Sequence, residues 1–110
     1  MPSESDLSET TKGSKGHRLL IDHNREEIIE IASRYGAYNI RLFGSVARGD
    51  DTQLSDIDLL VDMEPGRSLL DLGALLMDLQ DLLGCTVDIL TEKGLKNRIR
   101  ERVMKDAISL

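Results

Sequence analysis

Two short apolar runs dominate what this chain can fold into: Tyr38 to Phe43, ending in Gly44-Ser45, and Ile57 to Val61, opened by Asp56-Ile57-Asp58. Between them, Gly49 to Ser55 holds too little apolar surface for an element and reads as loop. Two strands thus deliver a glycine turn and two acids to one place. Side chains alternate along a strand, so Asp56 and Asp58 share a face with Cα atoms about 7 Å apart, while Ile57, Leu59 and Val61 point into a core. That spacing suits a divalent cation better than a salt bridge. Gly44 has no side chain, so a phosphate can approach the backbone there, with the Ser45 hydroxyl and the following amides as donors. A nucleoside triphosphate bridged by Mg²⁺ fits both halves.

Written as spacing, the pattern is G-S-x10-D-x-D, and it resembles the signature of the nucleotidyltransferase superfamily to which DNA polymerase beta belongs. Leu42-Phe43-Gly44-Ser45-Val46-Ala47-Arg48-Gly49, followed by Ser55-Asp56-Ile57-Asp58-Leu59-Leu60-Val61, is similar to the minimal nucleotidyltransferase (MNT) branch. Members of that branch are often antitoxins encoded beside HEPN-domain proteins. The resemblance covers residues from about 20 to 92. It implies an α/β nucleotidyltransferase fold, a small mixed β-sheet flanked by α-helices.

A chain of 110 residues makes one domain, expected over 19–110. Residues 1–18 mix Ser, Thr, Glu and Lys without an apolar run and are expected to be a disordered tail, neither signal peptide nor anchor. Nothing in the sequence approaches a membrane span. The net charge of −6 is unevenly spread: residues 49–92 carry eleven acidic groups and one basic, Arg67, while residues 93–110 carry six basic and two acidic. An acidic centre repels phosphate unless cations are bound, which agrees with a metal site and argues against direct nucleic-acid binding. Cys85 is the only cysteine, so an internal disulfide is excluded and a zinc cluster lacks ligands. It is read as a packing residue in a reducing cytoplasmic setting, since no histidine neighbours it in sequence.

Helical periodicity predicts helices over 24–35, 69–83 and 96–109, with Asn24 and Glu27 as a capping box for the first, Ser68 capping the second, and Gly36 and Gly84 closing them. Strands are predicted over 38–43, 56–63 and 86–90. The leucines of 69–83 exceed what one buried stripe needs, and Leu69, Leu70 and Leu82 are the expected surplus for a partner. The basic C-terminal helix is read as a packed helix with a solvated face.

Asp88 lies within the third strand, and by itself could simply face solvent. The resemblance implies more, because in the superfamily a third carboxylate from the neighbouring strand completes the metal cluster. Asp56, Asp58 and Asp88 are then the catalytic residues and metal ligands, holding two Mg²⁺. Gly44, Ser45 and Arg48 contact the phosphates of ATP, unless Arg48 instead pairs with Asp50 or Asp51. Gly44-Ser45 alone would equally make an ordinary turn with Ser45 as N-cap. The chemistry implied is in-line attack of a hydroxyl on the α-phosphate, releasing pyrophosphate. For an MNT antitoxin the acceptor is a tyrosine of a HEPN ribonuclease toxin, within a hetero-oligomer. Transfer to a small molecule or RNA, and neutralisation by binding alone, stay open.

Overall fold

The structure is a computed structural model and describes residues 16–52 and 55–110. Its order is α1 (Gly16–His23), α2 (Arg25–Arg34), β1 (Ala37–Phe43), α3 (Gly44–Arg48), β2 (Ile57–Met63), α4 (Leu69–Leu83), β3 (Val87–Thr91), a 3-10 turn (Glu92–Gly94), α5 (Asn97–Asp106) and β4 (Ile108–Ser109). The four strands make one sheet in the order β3-β2-β1-β4. β1 runs antiparallel to β2 and β4, whereas β2 and β3 are parallel, joined through the α4 crossover. This is the small mixed sheet flanked by helices that the alternation of two-residue and 3.6-residue periods predicts.

One face of the sheet makes the main core. Ile40 and Leu42 of β1, Ile57, Leu59 and Val61 of β2 and Val87 of β3 pack with Ile28 and Ala32 of α2 and Leu75, Leu79 and Leu83 of α4. Leu60 and Val103 are buried as well but lie outside that cluster. Leu60 shares the second face of β2 with Asp58 and Asp62, since side chains two apart point the same way. α5 covers part of that face, bringing Met104 Sδ to 3.9 Å from the Arg41 guanidinium.

Several local expectations hold. Ser68 accepts from Leu70 N–H while Asp71 accepts from Ser68 N–H, a reciprocal cap on α4. Gly84 ends α4 in the left-handed region. Three others are corrected. Asn24 makes no side-chain cap on α2; its Nδ2 donates to Leu20 O at 2.9 Å, so it joins α1 to α2. The C-terminal helix stops at Asp106 rather than 109, because the free edge of β1 offers Arg41 and Leu42 as pairing partners and Ile108-Ser109 take them. The tail expected through residue 18 ends sooner: Gly16, His17 and Arg18 already belong to α1, whose Ile21 is fully buried. Residues 1–15, where the rest of that expected tail falls, lie outside the described residues. Among the described residues no helix is long and apolar enough to cross a membrane.

Candidate active site

The register of β1 on β2 places the site. Phe43 pairs with Asp58, so the chain leaves β1 and turns into α3 directly beside the Asp58 carboxylate. Gly44 makes that turn with φ +79°, a left-handed conformation that disfavours any side chain. A β-carbon at this position would also collide with Asp58 Oδ2. The phosphate-like turn and the D-x-D acids are therefore one site. α3 then runs five residues to Arg48 and closes on Gly49, whose left-handed backbone donates N–H to Ser45 O and Val46 O. Phe43, not Ser45, occupies the N-cap position, and no side chain caps this helix. The capping alternative for Ser45 is thus not realised.

The acids come from three backbone positions. Asp58 and Asp88 are register partners on parallel strands, which sets their backbones about 4.8 Å apart with both side chains on one face. Asp56 immediately precedes β2 and is exposed, as is Asp88, while Asp58 is half-buried. Burial raises the Asp58 pKa to about 6, with further upward pushes from the charges of Asp88 and then Asp56; Arg48 pulls it down. Asp58 thus feels both of the other predicted carboxylates, although the three come from positions up to 32 residues apart, Asp56 to Asp88.

Arg48 reaches the same surroundings but is already engaged. Nη1 donates to Asp106 at 2.9 Å and Nε to Asp50 at 3.2 Å, and these two acids hold its pKa up. The Asp50 pair matches one of the two readings open from sequence; Asp106 is a partner that sequence spacing did not offer. Cys85 is partly buried, and burial, with Asp56 adding to it, pushes its thiol pKa up. A thiol held protonated beside acids is a packing group rather than a nucleophile.

The donor set fits a hard divalent cation: carboxylates only, with Asp58 raised in pKa first by burial and then by the charges of Asp88 and Asp56. Among the described residues, no three His, Cys, Asp or Glu side chains are gathered tightly enough to form a closed ion cage. A cavity of about 430 Å³ lies at the other end of β2, lined by Tyr38, Asp62 and Glu92 among others. It is far along the strand from Asp58, and its acids are paired with arginines, so the convergence of Gly44 with three unpaired acids defines the site better than concavity does.

Fold and site together define a nucleotidyltransferase. A family model described as the nucleotidyltransferase domain matches residues 25–110, and the chain belongs to that family. It is 36% identical over 90 residues to the candidate protein adenylyltransferase MJ0435 of Methanocaldococcus jannaschii, an alignment spanning 82% of this chain and 97% of that one. The protein adenylyltransferase MntA of Thermococcus cleftensis is 38% identical over 79 residues, 72% of this chain and 80% of MntA. A solved structure described as a minimal nucleotidyltransferase superposes with a TM-score of 0.75 at 48% identity, covering 82% of this chain and 92% of the other. A toxin–antitoxin complex crystallised with AMP-PNP shares the fold, with a TM-score of 0.68 at 23% identity over 78% of this chain and 71% of that one.

Proposed function

We propose that this chain is a Mg²⁺-dependent protein adenylyltransferase that moves AMP from ATP to a tyrosine hydroxyl of a toxin partner, a HEPN ribonuclease by family resemblance, and neutralises it in the cytoplasm. The observation that carries the reading is the contact between the Gly44 turn and the Asp58 carboxylate, with Asp88 beside Asp58 on the next strand. The names of MJ0435 and MntA support protein as the acceptor.

In this reading the acceptor oxygen attacks the α-phosphorus, the bond to the bridging oxygen of the β-phosphate breaks, and pyrophosphate leaves with the displaced charge. Bound at Asp56, Asp58 and Asp88, two Mg²⁺ would supply charge neutralisation of the triphosphate and acidify the acceptor hydroxyl. The chain's own part is positioning. Gly44 leaves room at the backbone for the β- and γ-phosphates, and the Ser45 hydroxyl donates to them. Asp88, exposed at the end of the cluster, accepts the hydroxyl proton as the new P–O bond forms. Arg48 reaches the phosphates only by giving up Asp50 or Asp106, so its role in binding is the smaller one.

A partner is also consistent with the surface. Leu69 and Leu70 are 83% and 85% exposed at the start of α4, with Met77 exposed along the same helix; Leu82, the third expected surplus position, is partly buried against the core. Those leucines also favour a second reading, in which the chain blocks its toxin by contact alone. Incubating the purified toxin with ATP, Mg²⁺ and either wild type or Asp56→Asn/Asp58→Asn, then weighing it by mass spectrometry, separates the two. Adenylyl additions with wild type and none with the variant are expected. An inhibited toxin of unchanged mass in the wild-type reaction sinks the transferase reading.

A further inference from the structure

His17 reaches into the catalytic loop from outside the family-matched segment, which begins at residue 25. It stands in the first turn of α1, and α1 packs on α3. Its Nδ1 lies 2.8 Å from Asp51 Oδ2, and since a carboxylate oxygen accepts, the ring nitrogen donates. Asp51 is 3% exposed and its side chain fully enclosed, yet its other oxygen, Oδ1, has no hydrogen-bond partner among the described residues. Burying a carboxylate that is only half satisfied is costly, and a native fold that keeps one calls for an explanation.

The position of Asp51 supplies it. The loop from Gly49 to Asp56 joins the phosphate turn to the first acid. At its start, Gly49 N–H and Asp50 N–H both donate to Ser45 O, at 2.9 and 3.0 Å. At its end, Thr52 N–H donates to Ser55 Oγ at 2.8 Å and Ser55 N–H to Thr52 O at 3.0 Å, next to Asp56. Asp51 stands between these two local structures, and its side chain is buried where Asp50 and Thr52 are exposed. Arg48 does not serve it, being bound to Asp50 and Asp106.

We propose that His17 and Asp51 are a positioning pair that pins the 49–56 loop, so that α1 holds Asp56 in place relative to Gly44 and Ser45. The proposal rests on the nucleotidyltransferase reading for its consequence in binding, and on geometry alone for its consequence in the loop. A displacement of about 1 Å in a site of this kind changes rates or affinities by roughly ten- to a hundredfold.

The test uses the full chain, with Mg²⁺ and AMP-PNP as the probe. His17→Ala should weaken MgAMP-PNP about tenfold by calorimetry and speed amide hydrogen exchange in 49–56, while exchange in β1 and β2 stays at the wild-type rate. His17→Asn, whose Nδ2 can donate in place of the ring Nδ1, should restore both. Should His17→Ala fail to fold, the double variant His17→Ala/Asp51→Ala removes the buried charge and should still bind weakly with a loosened loop. Wild-type affinity and unchanged loop exchange in these variants would overturn the pair's role. So would a loss of affinity that tracks a general loosening of the sheet and is not rescued by Asn. If wild type itself fails to bind MgAMP-PNP, it is the nucleotidyltransferase reading that fails, and loop exchange then decides the pair by itself: selective loosening supports it, and unchanged exchange overturns it.

Discussion

The second face of β2 carries an acidic group near each end, and the two are treated in opposite ways. At the far end Asp62 accepts from Arg41 at 3.1 Å, and Glu92 accepts from Arg41 at 2.9 Å and also from Arg100. Arg41 is nearly enclosed, with its Nε donating to Asn39 O, so its guanidinium is shared between two acids and a carbonyl. At the near end Asp58 faces Asp88 and Asp56 with only the remote influence of Arg48. One cluster is neutralised by the protein and contributes to its stability. The other is left with surplus negative charge, which is a standing demand for cations.

Exchanging the charge at either end should therefore have opposite outcomes. The largest effect is on chemistry: Asp56→Asn/Asp58→Asn should lower adenylyl transfer by more than about a thousandfold, since two acids of the cluster vanish together. Single-turnover assays with labelled ATP measure it, and a tenfold loss or less would remove these acids from the reaction. Next is the far end, where Arg41→Met should destabilise the fold by about 2 kcal/mol by leaving Asp62 without its arginine and Glu92 with Arg100 alone. Urea unfolding reads this, and a wild-type midpoint would show the network to be idle.

Gly44→Ala is expected to do both things moderately. The left-handed backbone costs about 1 kcal/mol for alanine, and the new methyl displaces the Asp58 carboxylate, so transfer should fall together with stability. A variant as stable as wild type, with full activity, would contradict the contact between turn and acid. The smallest effect is the pH dependence of Asp58. Its folded pKa of about 6 exceeds the ordinary 3.8, so the folded state holds the proton more tightly. Asp58 then costs nothing below about pH 3.8, and its penalty grows between there and pH 6 and persists above. Asp58→Asn should raise the thermal midpoint at pH 7 without Mg²⁺ and leave it unchanged at pH 3.5. Added Mg²⁺ should stabilise wild type at pH 7 and lose that effect as the pH falls through about 6. A midpoint difference independent of pH would refute the assigned shift.

The near cluster was largely visible in the sequence and the far one was not. Asp56, Asp58 and the Gly44-Ser45 turn are read from two-residue alternation and a glycine, both local. Asp88 needed the family resemblance, because an acid in mid-strand carries no label of its own, and only the parallel register beside Asp58 gives it a place. The clash that makes Gly44 obligatory depends on Phe43 pairing with Asp58, a register that no sequence pattern prints. Arg41, Asp62 and Glu92 meet from positions up to 51 residues apart, and His17 and Asp51 from 34. β4 is two residues long, too short to show a period, so the free edge of β1 decided it. The helix expected to run on to 109 was a correct reading of apolar spacing overruled by backbone pairing.

The parallel pairing of β2 with β3 has a consequence for the order of assembly. β1 and β2 are antiparallel neighbours in sequence and meet through α3 and the loop after it, a shorter connection than the α4 crossover, bringing Gly44 to Asp58 early. Asp88 arrives only when the whole α4 crossover has docked, a longer closure and a slower one. Substitutions in β3, such as Val87→Ala, are accordingly expected to speed unfolding more than they slow folding, and chevron kinetics would show it. A newly made chain would then pass through a stage with the Gly44 turn already beside Asp58 and Asp88 still apart, the candidate site being completed only when β3 docks.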